Sequence, residues 1–197
     1  MVIVDEPDGA TPLDPDELQG LKHPSIATRS QLDHLEQANI QQGLRWLSRR
    51  RSREVLSEAF ARQLHKKLFG EVWEWAGAFR TTEKNIGIDP RNISVELRQL
   101  IDNTTYWIEH NTFEPLELSL RFHHKLVEIH LFPNGNGRHA RFMTDELCRR
   151  ELEIPIVDWS GGHDLQNMNE RRMQYITALR EADQGNFGLL IDFAGKG

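Results

Sequence analysis

Residues 115–150 hold two runs of helical apolar spacing joined at a corner that no regular element can cross. Over residues 115–130 apolar side chains recur on more than one face (Leu116, Leu118, Leu120, Phe122, Leu126, Val127, Ile129). That is the pattern of a helix buried in a bundle. Pro133 and the run Gly135-Asn136-Gly137 then break regular structure, and Ala140, Met143, Thr144, Leu147 and Cys148 resume a helical spacing. A buried helix turned sharply into a second one leaves the rest of the chain little choice but to pack helices around the pair.

The corner also carries chemistry. His130 closes the first helix. The first turn of the second exposes backbone N–H groups and the positive end of the helix dipole, and its glycines let phosphate oxygens approach the backbone. Arg138 and Arg141, three residues apart, project from neighbouring positions of that turn, each able to take a phosphate oxygen. Taken singly, His130 suits a satisfied core histidine and the arginines a solvated edge. Together they supply a base, an anion cradle and two cations, the parts of a nucleotide-handling loop.

The segment His130-Leu131-Phe132-Pro133-Asn134-Gly135-Asn136-Gly137-Arg138-His139-Ala140-Arg141 resembles the Fic family signature His-x-Phe-x-(Asp/Glu)-Gly-Asn-Gly-Arg-x-x-Arg at every position but one. Its spelling from Phe132 onward resembles the small subgroup known as mobile mystery protein B. The resemblance implies an all-α fold, a Fic-type helical bundle with a small β-hairpin flap. It also implies transfer of AMP from ATP to a Tyr, Thr or Ser hydroxyl of a target protein, with His130 as general base. Gly135, Asn136, Gly137, Arg138 and Arg141 would then surround the phosphates. Asn134 stands where the family places an acidic magnesium ligand; an amide offers a neutral carbonyl oxygen in place of a charged one, so Mg2+ is expected to be held weakly or through water. The subgroup implies a separate small helix-turn-helix companion. Two alternatives stay open: a kinase-like phosphotransferase on the same fold, against which the Gly-Asn-Gly cradle argues, and a catalytically silent binding partner in a regulatory or toxin system, which Asn134 favours.

The 197 residues suit one domain, with 38% hydrophobic and 27% charged residues. A net charge of −6 argues against non-specific nucleic-acid binding, which needs a basic face. The lone Cys148 excludes an intramolecular disulfide and a cysteine-rich zinc site, and no apolar run is long enough to span a bilayer. A cytoplasmic protein is expected. His123, His124, His130 and His139 contain no pair at metal-binding helical spacing.

Residues 1–27, acidic and rich in breakers, read as an extended arm. Residues 28–48 read as a regulatory helix, capped by Thr28 or Ser30, and residues 49–197 as the catalytic core. Within the helix over residues 31–42, Glu36 is the candidate for the family's inhibitory glutamate, which pairs with the second motif arginine and obstructs the ATP γ-phosphate. Leu32 and Gln37 depart from that motif, and a solvated glutamate on an amphipathic helix is the alternative. Arg49, Arg50, Arg51 and Arg53 form a basic run, read as a solvated end, before a helix over residues 52–69 with Gly70 as its C-cap.

Residues 79–82 and 86–88, with Lys84-Asn85 between them, suit a short hairpin after two tryptophans, Trp73 and Trp75, expected in the core. This resembles the family flap that follows a Trp-Ala-Gly-x-x-Arg lead-in and clamps a target by strand addition; Thr81, Thr82 and Lys84 are its candidate docking residues. A scaffold helix begins near Ser94. A final helix over residues 164–184 places Leu165, Met168, Ile176 and Leu179 inward. Its Asn169-x-x-Arg172-x-x-Tyr175 pattern resembles the family helix bordering the adenine pocket, making Asn169 and Tyr175 candidates for base contact.

Overall fold

The computed structural model describes residues 14–52, 54–160 and 169–195. Helices account for its regular structure: α1 (Pro15–Leu18), α2 (Arg29–Arg49), α3 (Glu58–Phe69), α4 (Ile93–Glu109), α5 (Pro115–Ile129), α6 (Asn136–Arg150), α7 (Glu170–Ala182) and α8 (Gly188–Gly195). The expected all-α fold is the one observed.

Local chemistry sets most of the boundaries. The Thr28 hydroxyl accepts the N–H of Gln31, whose own amide oxygen takes the N–H groups of Ala27 and Thr28, a capping box that starts α2. α2 then runs seven residues beyond the expected 42, straight through Gly43, where a Cβ would lie 2.8 Å from the Lys67 carbonyl of α3. α3 starts later than expected: Ser57, not a residue near 52, offers its hydroxyl to the N–H of Phe60. Gly70 ends α3 with an ordinary right-handed conformation. Pro115 occupies the first position of α5, where its missing N–H costs nothing.

α5 is the central element. Its Leu118, Phe122, Leu126 and Ile129 join α2, α3, α4 and α6 in one core, while Leu120 packs with Val157, Trp159, Tyr175, Ala178, Leu190 and Phe193 in a second. Burial on two faces is what its unbroken apolar spacing required. Each fully buried Leu or Phe contributes about 1.5–3 kcal/mol, so turning α5 by one residue would expose both cores at once. α8 had no counterpart in the sequence reading; Leu190 and Phe193 dock it under α5 and α7.

Three expectations are corrected. Among the described residues there is no β-strand ladder, so the segment over residues 79–89 is an irregular loop and not a hairpin. Residues 14–22 are not merely an extended arm: α1 lies there, and Leu21 pairs with Trp73 in an isolated antiparallel bridge. The basic run is only partly solvated, since Arg50 donates to the carbonyls of Ser52 and Glu54 and lies over the Phe60 ring. The arm over residues 1–13, Arg53, and the start of the last helix with Leu165 and Met168 lie outside the described residues.

Candidate active site

α5 ends at His130, whose left-handed backbone (φ 58) turns the chain into the corner. The buried guanidinium of Arg80 holds it there. Nε donates to the His130 carbonyl at 2.6 Å and Nη2 to that of Ile129 at 3.3 Å, so the arginine caps the last carbonyls of α5. The same side chain reaches across to the loop over residues 79–89, giving Nη1 to Thr82 O at 2.9 Å and Nη2 to Ile88 O. One cation therefore gathers four carbonyls and does the work that a strand ladder was expected to do. Gly87 completes the approach: at φ 116, a Cβ there would lie 2.6 Å from Arg80 Nη2 and 2.7 Å from His130 Cβ.

Burial, then the Arg80 charge, push the His130 imidazole down to about 4, against a smaller upward pull from the Val127 carbonyl. At neutral pH the ring is uncharged. A carbonyl can only accept, so the ring donates one N–H to Val127 and keeps its other nitrogen as a proton acceptor.

The loop that follows is fixed by its own side chains. Asn136 accepts the N–H of Phe132 at 2.8 Å and donates to the Phe132 carbonyl at 2.7 Å. Its side chain is thus the brace of the loop, and only its backbone stands at the phosphate position expected of it. His65 of α3 takes the Gly77 N–H on Nδ1 at 3.0 Å, which leaves Nε2 protonated to donate to Asn134 O at 3.0 Å. Its ring stacks on Phe132 with centroids 3.7 Å apart. Gly135 caps α6 with φ 77, and a Cβ would meet Phe69 at 2.8 Å. The first helical bond of α6 runs from His139 N to Gly135 O, so the amides of Asn136, Gly137 and Arg138 precede the ladder, where a helix start attracts anions.

Asn134 does not fit a magnesium ligand. Its side-chain oxygen accepts the Gly135 N–H at 2.6 Å and its carbonyl accepts from His65, and neither atom carries charge. No group of three or more His, Cys, Asp or Glu side chains able to hold an ion occurs among the described residues.

The two motif arginines differ. Arg138 Nη1 donates to Glu36 Oε2 at 2.6 Å, while Trp73 Nε1 donates to Oε1 at 2.8 Å. Glu36 is 5% exposed, so it is not the solvated glutamate of an amphipathic face. Its partner is the first motif arginine, not the second as the resemblance implied. Burial raises the Glu36 carboxyl, but the Arg138 charge and the two hydrogen bonds outweigh it and hold the group below its ordinary value. Arg141 instead turns toward α7, with its guanidinium 5.9 Å from the Tyr175 ring centroid.

Several expected contacts are absent from the corner because other partners claim the side chains. Asn169 is the N-cap of α7, accepting the N–H of Arg172 at 2.9 Å. Tyr175 is buried with its hydroxyl 2.8 Å from His123 Nε2. Neither presents a base-binding surface. The Lys84 side chain is 2% exposed and ion-paired with Asp14 at 2.9 Å and with Glu17; the Thr82 hydroxyl donates to Asp14 at 3.0 Å. Only Thr81 of the three docking candidates remains exposed without such a tie to α1. A cleft of about 350 Å³ opens elsewhere, between α4, α5 and Phe187. Its Arg121 and Lys125 already face Glu117, Glu96 and Glu128, so the chemistry stays at the corner.

Residues 55–148 match the model of the Fic/DOC family. That stretch of the chain is similar to the Fic/DOC domain. Glu36 lies before the matched stretch of this domain, and Asn169 and Tyr175 lie after it. Among curated proteins, protein adenylyltransferase fic-1 of Caenorhabditis elegans is 25% identical over 142 residues, 68% of this chain and 25% of that protein. Protein adenylyltransferase Fic of Drosophila grimshawi is 27% identical over 135 residues, 66% of this chain and 26% of that protein. The chain thus spans about a quarter of the length of these relatives. The solved structure of a Fic-1 fragment from C. elegans superposes with a TM-score of 0.68 at 25% identity, covering 90% of this chain and 51% of that one. BepC of Bartonella tribocorum, solved with AMPPNP bound, shares the fold with a TM-score of 0.67 at 18% identity, over 91% of this chain and 96% of that one.

Arg80 and His65 were missed by the sequence reading as site residues. Arg80 closes the Trp-Ala-Gly-x-x-Arg lead-in, and its fixed distance from the two tryptophans was the available signal. His65, in the middle of an amphipathic helix, left none.

Proposed function

We propose that this Fic/DOC chain transfers AMP from ATP to a hydroxyl side chain of a target protein. The observation that supports this most directly is a neutral, buried imidazole at the end of α5, braced by Arg80, immediately before a helix start that favours phosphate. The names of the curated relatives and the nucleotide analogue bound to BepC point the same way.

In this mechanism the triphosphate lies on the first turn of α6, with Arg141 and, once released from Glu36, Arg138 taking phosphate oxygens. The target hydroxyl attacks the α-phosphorus in line, His130 takes its proton, the bond to the bridging oxygen breaks, and pyrophosphate leaves with the electron pair. A base near 4 is weak. The phosphates bring negative charge beside the ring, opposing burial and Arg80 and raising its basicity toward working pH. Charge that moves to pyrophosphate meets the arginines and the α6 amides.

Glu36 acts as a restraint in the resting chain, because Arg138 cannot bind both a carboxylate and a phosphate. The target segment docks along the exposed loop backbone near residues 85–87, since Thr82 and Lys84 are committed to α1.

Incubation with cell extract and ATP labelled at the α- or the γ-phosphorus tests the reaction. Label from the α position is expected on protein; transfer of γ label would make the chain a kinase-like phosphotransferase. His130→Ala should abolish transfer and leave ATP affinity nearly unchanged, and undiminished transfer would exclude His130 as the base.

A further inference from the structure

Behind Arg141 lies a buried polar chain that the transfer mechanism does not use. His123 of α5 is fully buried, with Nδ1 3.2 Å from Thr144 Oγ1 and Nε2 2.8 Å from the Tyr175 hydroxyl. The direction of every proton in it follows from counting. The Thr144 hydroxyl has one proton and donates it to Ala140 O at 2.8 Å, so toward His123 it can only accept. Nδ1 therefore carries the ring hydrogen and Nε2 is bare. Tyr175 must then donate its single proton to Nε2, which leaves only lone pairs on the phenol oxygen. Those lone pairs are on offer to the Arg141 guanidinium, which lies 5.9 Å from the Tyr175 ring centroid and whose charge and donated N–H pull the phenol down against the larger effect of burial. That guanidinium also reaches the start of α6: a Cβ on Gly137 would lie 3.7 Å from Arg141 Nη1.

We propose that Thr144, His123 and Tyr175 are positioning residues for Arg141, fixing the Tyr175 hydroxyl so that its oxygen holds the guanidinium against the first turn of α6. The assignment rests on the nucleotide site proposed above, and deepens it by naming what orients its second arginine. Were His123 protonated, both ring nitrogens would donate, Tyr175 would turn its proton toward a guanidinium that can only donate, and the hold would be lost. The structure guards against this: burial, then the Arg141 charge, push His123 down to about 3. Trp159 packs 4.3 Å from the His123 ring and donates to Asp145 at 2.8 Å, a carboxyl that also feels the Arg141 charge.

Calorimetric titration of ATP into the full chain, the Tyr175→Phe and Arg141→Ala variants and the double variant tests the relay. Arg141→Ala and Tyr175→Phe should each weaken binding, by about ten- to a hundredfold for a lost hydrogen bond to a charged group. The double variant should be no weaker than Arg141→Ala alone, because Tyr175 acts only through that arginine. Additive losses, or wild-type affinity in Tyr175→Phe, overturn the relay while leaving the nucleotide site standing. Wild-type affinity in Arg141→Ala, or no ATP binding by the parent, overturns both. If Tyr175→Phe fails to fold, the His123 pair decides: His123→Gln, whose amide oxygen can accept from Tyr175 at the Nε2 position, should bind ATP more tightly than His123→Leu, and equal affinities overturn the relay.

Discussion

Replacing Glu36 by Gln should move stability and nucleotide affinity in opposite directions. The carboxylate is 6% exposed at its side chain and its partner Arg138 is 14% exposed, with 2.6 Å between them. Gln keeps an oxygen for Trp73 and removes the charge facing Arg138. Breaking a buried pair costs about 3–5 kcal/mol when the remaining charge is sealed in. Arg138 is not sealed: it lies 4.7 Å over the Phe69 ring and reaches solvent at its edge, so a loss nearer 2–3 kcal/mol, roughly one lost charged hydrogen bond, is expected. The freed arginine can then meet a phosphate, an interaction of about 1.5–3 kcal/mol, or about ten- to a hundredfold in ATP affinity. Urea unfolding and calorimetric titration of the same preparations give both numbers. The Glu36 carboxyl is held below its ordinary value of 4.5, so the pair is at full strength above that pH and fades as pH falls through the folded-state value. The stability gap between parent and variant should therefore close below pH 4.5. A variant that is less stable but binds ATP no better would refute the claim that Glu36 withholds Arg138 from phosphate.

Acid should unfold this chain early. His65, His123, His130 and His139 are all pushed below the ordinary 6.5, so the unfolded chain binds protons first and stability falls as pH drops from 6.5 toward about 4; His123, His130 and His139 each cost about 2 kcal/mol at pH 5 relative to pH 7, and His65 acts in the same direction. Asp145, raised by burial to about 6, takes its proton in the folded state and returns about 1 kcal/mol over the same interval, so a urea midpoint unchanged between pH 7 and 5 would refute the burial of these rings. Gly87→Ala should cost about 1–3 kcal/mol in thermal unfolding and abolish AMP transfer with ATP binding intact, since its Cβ would push the loop off His130. Lys84→Met leaves Asp14 and Glu17 without their buried cation, and amides over residues 14–22 should exchange with solvent faster than in the parent; unchanged exchange would mean that the backbone pairing of Lys22 with Val72 and of Glu74 with Gly20 holds α1 alone.

What could be read from the sequence divides by distance along the chain. α5, α6 and the corner between them were legible because Pro115, Pro133, Gly135 and the apolar spacing act within a few residues of one another. The Thr28 cap was legible for the same reason, whereas the start of α3 was not: two serines offered themselves, and Ser57 won because Val55 is drawn into the core ahead of it. The expected hairpin failed for a longer-range reason. Residues 79–82 and 86–88 suit two short strands locally, but Arg80 satisfies the carbonyls of Thr82 and Ile88 from the side, and Thr82 and Lys84 are drawn to α1, 65 to 70 positions away. A ladder would have had to give up both.

The same long-range competition explains the site. Asn169 and Tyr175 fit a nucleotide-pocket pattern, yet Asn is equally the residue of a helix N-cap, and a tyrosine among apolar neighbours is equally a core residue with one polar end. Nothing local distinguishes those roles; His123, fifty-two positions upstream of Tyr175, does, by taking the hydroxyl proton. Glu36 is the matching case. Its own helix cannot say whether it faces water, Arg141 or Arg138, because that is settled by the Trp73 indole, which takes one carboxylate oxygen and leaves the other pointing at Arg138. The motif thus names the arginines proposed to meet a phosphate, while buried groups outside it, Trp73 and Glu36 for one arginine and Tyr175 for the other, lie where they would decide which of the two is ready to do so.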